Sequence, residues 1–440
     1  MRRYESYKDS DVEWLGEIPS HWECLPIRSI FKFRNEKNDP IKTDNILSLS
    51  IANGVTEYSD ENRGGNKRKD DLSSYKLAYP NDIVLNSMNV IVGAVGVSKY
   101  FGAISPVYYA LSLYNQRANL SYYESIFKNE NFQRGLLRFG KGILIKFGEN
   151  GKINTIRMKI SQDDLKKLYF PIPPLDEQQK IAQFLDDKTA KIDQAVDLAE
   201  KQIALLKEHK QILIQNAVTR GLNPDVLLKD SGVEWIGQVP EHWEVKKLKF
   251  VSKINQHTLP ENTNGSLSIK YVDIGSVSFE NGIEKVENFS FKNAPSRARR
   301  LANRGDIVVS TVRTYLKAIT MVKEEHQDCI FLTGFAVITS NECLEDNFFE
   351  LYAKSDAFTE QVSVFSKGMS YPAINSTDLS NLWITVPPIS EQQKIADYLE
   401  TQVSKINQAI ALKTAHIEKL KEYKSVLIND VVTGKVRVSV

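Results

Sequence analysis

The feature that most constrains this chain is that it states the same frame twice. Residues 9–23 read DSDVEWLGEIPSHWE and residues 230–244 read DSGVEWIGQVPEHWE, with ten of fifteen positions identical at an offset of 221. A second echo occurs at an offset of 214: PPLDEQQKIAQFL from Pro173 and PPISEQQKIADYL from Pro387. Solenoid units run only about 20–50 residues, so a period this long means two copies of a whole module rather than a repeat array. Two matching modules in one chain present two matching surfaces.

The order is A–B–A′–B′. Each B segment opens with a double proline that enforces extended backbone. Asp176 or Ser390 then comes as a candidate N-cap, with Gln179 or Gln393 three residues on to complete a capping box. The remainder of each segment has helical period. Leu185, Thr189, Ile192, Val196, Ala199, Ile203, Leu206, Lys210, Leu213 and Ala217 step by four and three. Leu399, Val403, Ile406, Ile410, Lys413, Ile417, Leu420, Lys424, Leu427 and Val431 repeat the steps. The narrow stripe is a coiled-coil seam, broken by a few polar positions. Across 176–218 and 390–432, 20 of 43 aligned residues are identical, and neither segment contains Pro or Gly. At ~1.5 Å per residue each predicts a helix of roughly 60–65 Å. Two near-identical seams can satisfy each other as an antiparallel pair related by an approximate two-fold axis.

The A segments mix short β-like runs with helices. NDIVLNS (81–87), GDIVVSTV (305–312) and FAVIT (335–339) sit between Gly, Asn and Asp punctuation. NFQRGLLRFG (131–140) and NFFELYAKSDAFTEQV (347–362) read as helices. Each A module is therefore expected to be an α/β or α+β domain of about 150–170 residues, a size that builds its own core. NDIVLNSMN and GDIVVSTVR align at an offset of 224 and then part, and FGKG (139–142) opens an insertion where the second copy has SKGMSYPAIN. A shared scaffold with different loops is what two readers of two different targets would have.

The chemistry of a stand-alone enzyme is missing. No (N/D)PP(Y/F) motif, Gly-rich cofactor loop or GxxxxGK[ST] phosphate loop occurs. Pro224-Asp225 followed by Glu244-Val245-Lys246 loosely resembles a magnesium nuclease pattern. Its Glu, however, belongs to the repeated HWE element, whose first copy, Glu23-Cys24-Leu25, lacks the lysine. His21 and His242 recur beside Trp22 and Trp243 without spaced metal-ligating partners, which favours a structural turn. Three cysteines with no CxxC argue against a disulfide framework or a zinc site. The N-terminus lacks a signal-peptide apolar run, and no stretch approaches a membrane span, so a cytoplasmic location is expected.

Net charge is only +2, distributed as +5 over 1–175, −2 over 176–228, −3 over 229–389 and +2 over 390–440. A free-standing nucleic-acid binder is usually more basic, so binding would rest on local patches. Two clusters qualify. One is the Gly-rich run with Arg63, Lys67, Arg68 and Lys69. The other holds Arg297, Arg299, Arg300 and Arg304. The segments after the aligned strands add Asn86 and Asn89 in one copy and Ser310, Arg313 and Tyr315 in the other. Lys141 and Lys146 correspond to Lys367, Ser370 and Tyr371. Lys and Arg on loops suit phosphates, and Arg or Asn can read base edges bidentately.

The A–B–A′–B′ order, the repeated VEW(L/I)G(E/Q)(I/V)P(S/E)HWE opening and the (I/V)PP(L/I)xEQQKIAxxL helix start together resemble the specificity subunit of type I restriction-modification systems, over the whole chain. The resemblance implies target recognition domains at 1–175 and 221–389. It implies spacer helices at 176–220 and 390–433 forming an antiparallel coiled coil, and a tail at 434–440. It also implies a non-catalytic subunit, without catalytic or metal-binding residues, that reads an asymmetric bipartite site in double-stranded DNA. Its partners would be two methyltransferase (modification) subunits and restriction/translocase subunits. S-adenosylmethionine, ATP and magnesium would be bound by those partners and no cofactor by this chain. A two-headed, non-enzymatic adaptor for protein or RNA is the competing expectation.

Overall fold

The computed structural model describes residues 2–51, 53–59, 71–88, 93–114, 118–140, 145–147, 153–156 and 159–438. The chain divides into two compact units, Met1–Ala199 with Ala415–Val440, and Glu200–Thr414. Among the described residues no helix is long and apolar enough to cross a membrane.

The helices are α1 (Leu120–Phe127), α2 (Glu130–Leu136), α3 (Gln162–Lys166), α4 (Leu175–Arg220), α5 (Asp346–Ala353), α6 (Asp356–Phe365), α7 (Ser376–Ser380) and α8 (Ile389–Val432). The first unit is built on a four-stranded antiparallel sheet in the order Phe31–Arg34, Tyr108–Leu113, Ile83–Asn86, Val95–Val97. The second has the same order in Ser252–Ile254, Phe335–Ser340, Ile307–Ser310, Ile319–Met321. Helices α1 and α2, or α5 and α6, pack on the sheet's apolar side. Tyr122, Tyr123, Phe127 and Phe132 fill one core and Phe348, Tyr352 and Phe358 the other, all essentially solvent-free.

The strand starting Asn81-Asp82-Ile83 or Gly305-Asp306-Ile307 comes after a turn whose left-handed residue is Asn81 (φ 69°) or Gly305 (φ 89°). The buried aspartate closes that turn. Asp82 accepts from the Tyr79 N–H at 2.9 Å and Asp306 from the Asn303 N–H at 2.7 Å. A second sheet differs between the units in how fully it is paired. In the second it is four-stranded, with Ser268–Val272 lying parallel to Cys329–Leu332. In the first, Leu47–Ser50 pairs with Gly54–Glu57 and Lys76–Ala78 with Gly102–Ile104, and a parallel bridge from Ile46 to Ala103 joins the two pairs in the same order as in the second unit. The second β layer is thus shared as well, with the parallel contact reduced to a single bridge in the first unit.

Each unit holds one part of each long helix. In the first, Ile181, Leu185 and Ile192 of α4 share a core with Leu427, Val431 and Val432 of α8. There Lys424 meets Asp193 at 2.6 Å. In the second, Ile214, Ala217 and Val218 share a core with Ile395 and Leu399. There Gln202 accepts from Lys413 at 2.6 Å and Asn407 from Lys210 at 3.2 Å, so the partner's number falls as α4 advances and the segments run antiparallel. The polar seam positions Lys210, Lys413 and Lys424 are therefore cross-helix partners rather than gaps. Val196, Ile203, Leu206 and Leu213 on α4, and Ile406, Ile410 and Leu420 on α8, are half-buried, whereas Leu185, Ile192, Leu399, Ile417 and Leu427 are buried.

Three local expectations are corrected. Helices α4 and α8 start at Leu175 and Ile389, so Asp176 and Ser390 lie in the first turn and do not cap it. The glutamine that ties the helix start is Gln178, or Gln392, whose Nε2 donates to the carbonyl of Pro173, or Pro387, at 2.8 Å. Residues 347–362 form two helices, broken at Lys354-Ser355, with the Ser355 hydroxyl donating back to Tyr352 O at 2.7 Å. The tail does not stand apart either. The Arg437 N–H donates to Arg2 O at 2.8 Å and Val438 is buried in the first unit.

Candidate nucleic-acid interface

The repeated motifs meet in space and are consumed there. Trp22 and Trp243 have no solvent exposure. Trp22 Nε1 donates to Glu177 Oε2 at 3.0 Å while His21 Nε2 lies 2.7 Å from Oε1. In the second copy Glu391 receives Trp243 Nε1 at 2.9 Å and His242 Nε2 at 2.7 Å. The first clamp has an extra member, the Tyr4 hydroxyl, donating to Glu177 at 3.0 Å. Burial, with the Glu177 charge beside it, pushes that hydroxyl far above its usual pKa and keeps it a donor. Glycines after the helices, Gly221 and Gly434, are left-handed and lie against the same tryptophans. A Cβ at Gly434 would sit 2.9 Å from Trp22. Gln178 and Gln392 are fully buried. Their Oε1 atoms accept from the N–H of Asn119 at 2.9 Å and of Glu345 at 2.8 Å, the residues that cap α1 and α5. The HW…EQQ repeats thus join the recognition module to its long helix. Glu244 is ion-paired with Lys246 on a strand, and Asp225 lies on an exposed turn.

In the second module several of the variable residues do the opposite and face outward. The chain leaves strand Ile307–Ser310 into a turn with Arg313 in the left-handed region (φ 51°, ψ 48°), then a single 3-10 turn, then left-handed Lys317. Such backbone costs a non-glycine residue about 1–3 kcal/mol and persists where surroundings fix it. Those surroundings are the segment 366–374. Lys367 and Ala373 exchange N–H···O bonds at 2.8 and 2.9 Å, closing a tight loop. Ile374 N–H donates to Thr311 O at 2.9 Å, and the hydroxyls of Thr314 and Ser366 are 2.8 Å apart. The Arg313 guanidinium lies 5.3 Å over the Tyr371 ring, within cation–π range. The two loops form one platform carrying Arg313, Tyr315, Lys367, Ser370 and Tyr371, all exposed or half-exposed. Among the described residues no carboxylate pairs with Arg313 or Lys367. A platform of unpaired cations and exposed aromatic rings suits phosphates and bases.

Other expected contacts fare differently. Ser310 is buried, and its hydroxyl donates to Val312 O, so it holds the turn and presents nothing outward. The basic run at 297–300 does not form one free face. Arg299 lies 4.6 Å over Phe291. Arg300 is half-buried, donates to Thr258 Oγ1 at 3.2 Å, and burial lowers its guanidinium's pKa. Arg297 is exposed, and Arg304 is exposed with Glu324 3.7 Å away. Asn86 ends its strand and its Oδ1 accepts from the Met88 N–H at 3.0 Å. Arg63, Lys67, Arg68, Lys69, Asn89 and Lys141 lie outside the described residues, and Lys146 falls in strand Ile145–Phe147. Sequence reasoning misses the exposure of Leu316, Phe365 and above all Met369 beside the platform residues. The one signal for it is the Gly-Met-Ser turn between Lys367 and Tyr371, where the polar residues alone draw attention.

The family model described as the type I restriction modification DNA specificity domain matches residues 19–207 and again 240–422. The chain belongs to this family. It is 24% identical over 457 residues to the MjaVIII type I restriction enzyme specificity subunit of Methanocaldococcus jannaschii, covering all of this chain and 98% of that one. The fold is similar to a solved chain from work on complex assembly and conformational transition of the type I R-M system, with a TM-score of 0.71 at 14% identity, covering 95% and 99% of the two chains. It is also similar to the HsdS subunit from Thermoanaerobacter tengcongensis, with a TM-score of 0.55 at 14% identity, covering 95% and 98%. The specificity subunit has two target recognition domains and two long helices, and the platform at 311–317 and 366–374 lies in the second domain. The family's role is binding DNA.

Proposed function

We propose that this specificity subunit reads an asymmetric bipartite site in double-stranded DNA and serves as the non-catalytic address of a cytoplasmic restriction-modification complex. One observation carries the reading: the residues repeated in both copies are spent on internal clamps, while Arg313, Tyr315, Lys367, Ser370 and Tyr371 of the second module, which the first copy does not repeat, face outward. Identical frames with different exposed loops fit two half-sites of different sequence.

The long antiparallel helices serve as a ruler between the half-sites. DNA repeats about every 34–36 Å per turn, so readers held a fixed distance apart leave an unread gap of fixed length. Their exposed surfaces dock two modification subunits, and restriction subunits join that core. S-adenosylmethionine, ATP and magnesium belong to those partners. Among the described residues no group of His, Cys, Asp or Glu is arranged to hold a metal.

The test is to co-purify the chain with its modification subunits and map methylated adenines genome-wide. One bipartite, asymmetric motif with a constant gap is expected. Methylation at a palindromic or contiguous motif overturns the two-reader proposal.

A further inference from the structure

Met369 is fully exposed (102%) at the tip of the loop closed by Lys367 and Ala373. A methionine is ordinarily a core filler, and its thioether is a poor reader of base edges because it offers only a weak acceptor. This one is held out rather than left loose. Gly368 before it is left-handed (φ 109°), and a Cβ there would lie 3.1 Å from Tyr371 O, so the turn requires glycine and sets where the methionine points from. The loop is pinned at its base by the Thr314–Ser366 and Thr311–Ile374 hydrogen bonds. Beside it stand Lys367 and the Arg313–Tyr371 stack, cations suited to phosphates.

We propose that Met369 is an apolar wedge, which enters between two stacked base pairs of the half-site read by the second recognition domain. The inference rests on the DNA-recognition reading above and deepens it. Apolar side chains, Met among them, are inserted between base steps by proteins that unstack and kink duplexes. An unbranched side chain on a pinned loop is suited to this, while the flanking cations hold the phosphates on either side of the opened step. The step it enters is pyrimidine–purine, since those steps unstack most readily. The wedge makes the second domain select for deformability at a position where no hydrogen bond reads the base.

The test uses the specificity subunit in complex with its modification subunits, bound to duplexes carrying its recognised site. 2-Aminopurine replaces adenine at one position of that half-site at a time. One position flanking a pyrimidine–purine step is expected to brighten severalfold with the wild-type complex. Met369→Ala and Gly368→Ala should abolish that signal, and Met369→Leu should retain it. The methylated adenine, flipped by the modification subunit, brightens in every variant and reports that the site is engaged. Because Met369 touches solvent only, its variants should melt as wild type does. Brightening confined to the methylated adenine, or unchanged by Met369→Ala, overturns the wedge and leaves the recognition reading standing. A wild-type complex without sequence-specific duplex binding overturns both.

Discussion

Replacing Glu177 with alanine removes one acceptor from three donors, and the structure ranks what each loss is worth. Trp22 is wholly buried, so its Nε1 cannot turn to water. A buried donor left unsatisfied costs about 1–3 kcal/mol, and bonds to charged groups lie at the upper end. Tyr4 is only half-buried and can recruit water, so its loss adds about 0.5–1 kcal/mol. His21 has 47% side-chain exposure, and a pair that exposed contributes at most about 0.5 kcal/mol. The expected destabilisation of the first unit is therefore about 2–4 kcal/mol, carried mostly by the indole. Glu391→Ala lacks the tyrosine and should destabilise the second unit by about 0.5–1 kcal/mol less. Urea unfolding gives the total, and hydrogen exchange measured by mass spectrometry assigns it to peptides of α1 and α2 or of α5 and α6. A double-mutant cycle isolates the decisive contact: on a Trp22→Phe background, Glu177→Ala should lose about 1–2 kcal/mol of its effect. A destabilisation below about 0.5 kcal/mol, or full additivity with Trp22→Phe, refutes the clamp.

Four further outcomes are expected. Arg313→Ala and Arg297→Ala in the assembled complex should each weaken all sequences alike and lower the salt slope by about 1, read by titration at several salt concentrations. Ser310→Ala should leave the methylated motif unchanged while lowering stability by about 1 kcal/mol, because its hydroxyl serves the turn. Inserting one heptad into both α4 and α8 should lengthen the gap between half-sites in a methylation map and leave both half-site sequences intact. Transplanting 311–317 together with 366–374 from a relative should move half-site specificity. Transplanting either alone should instead lower the melting temperature, since the Thr314–Ser366 bond and the backbone pair at Thr311 and Ile374 would be broken.

The fold is legible in the sequence where its causes are local. The four-three stepping of Leu185 through Ala217 predicts α4, and the runs before Ser310 and Ser340 predict strands, because patterning needs only neighbours. Polar seam residues such as Lys424 look like interruptions because their partners, here Asp193, are supplied by the other helix. The sequence pattern runs through Lys354-Ser355 as helix, yet tertiary packing of Ser355 breaks it there. The candidate site is legible in part. Arg313, Lys367 and Tyr371 do come together, since alignment of the copies places both loops after shared elements. Arg299 and Arg300 look equally promising in sequence, but a strand alternates its faces and sends them into packing. Met369 escapes sequence reasoning because its exposure is a property of the loop's pinning, which no single residue type announces.

The clamps also explain how one frame could carry unlike readers. In the second unit His242, Trp243, Glu391 and Gln392 bond one another, the Glu345 N–H and the carbonyls of Cys343 and Pro387. None of these bonds reaches the segments that would touch DNA. Changes in 311–317 or 366–374 therefore leave the junction between module and helix unloaded, and changes in the junction are felt as stability rather than as specificity. The coupling is strong only inside the platform itself, where two loops about fifty residues apart in sequence hold each other's backbone. A half-site is then expected to change as a block, with both loops altered together, while the clamp stays as it is. The two copies already show that pattern: their HW and EQQ residues coincide and their post-strand loops do not.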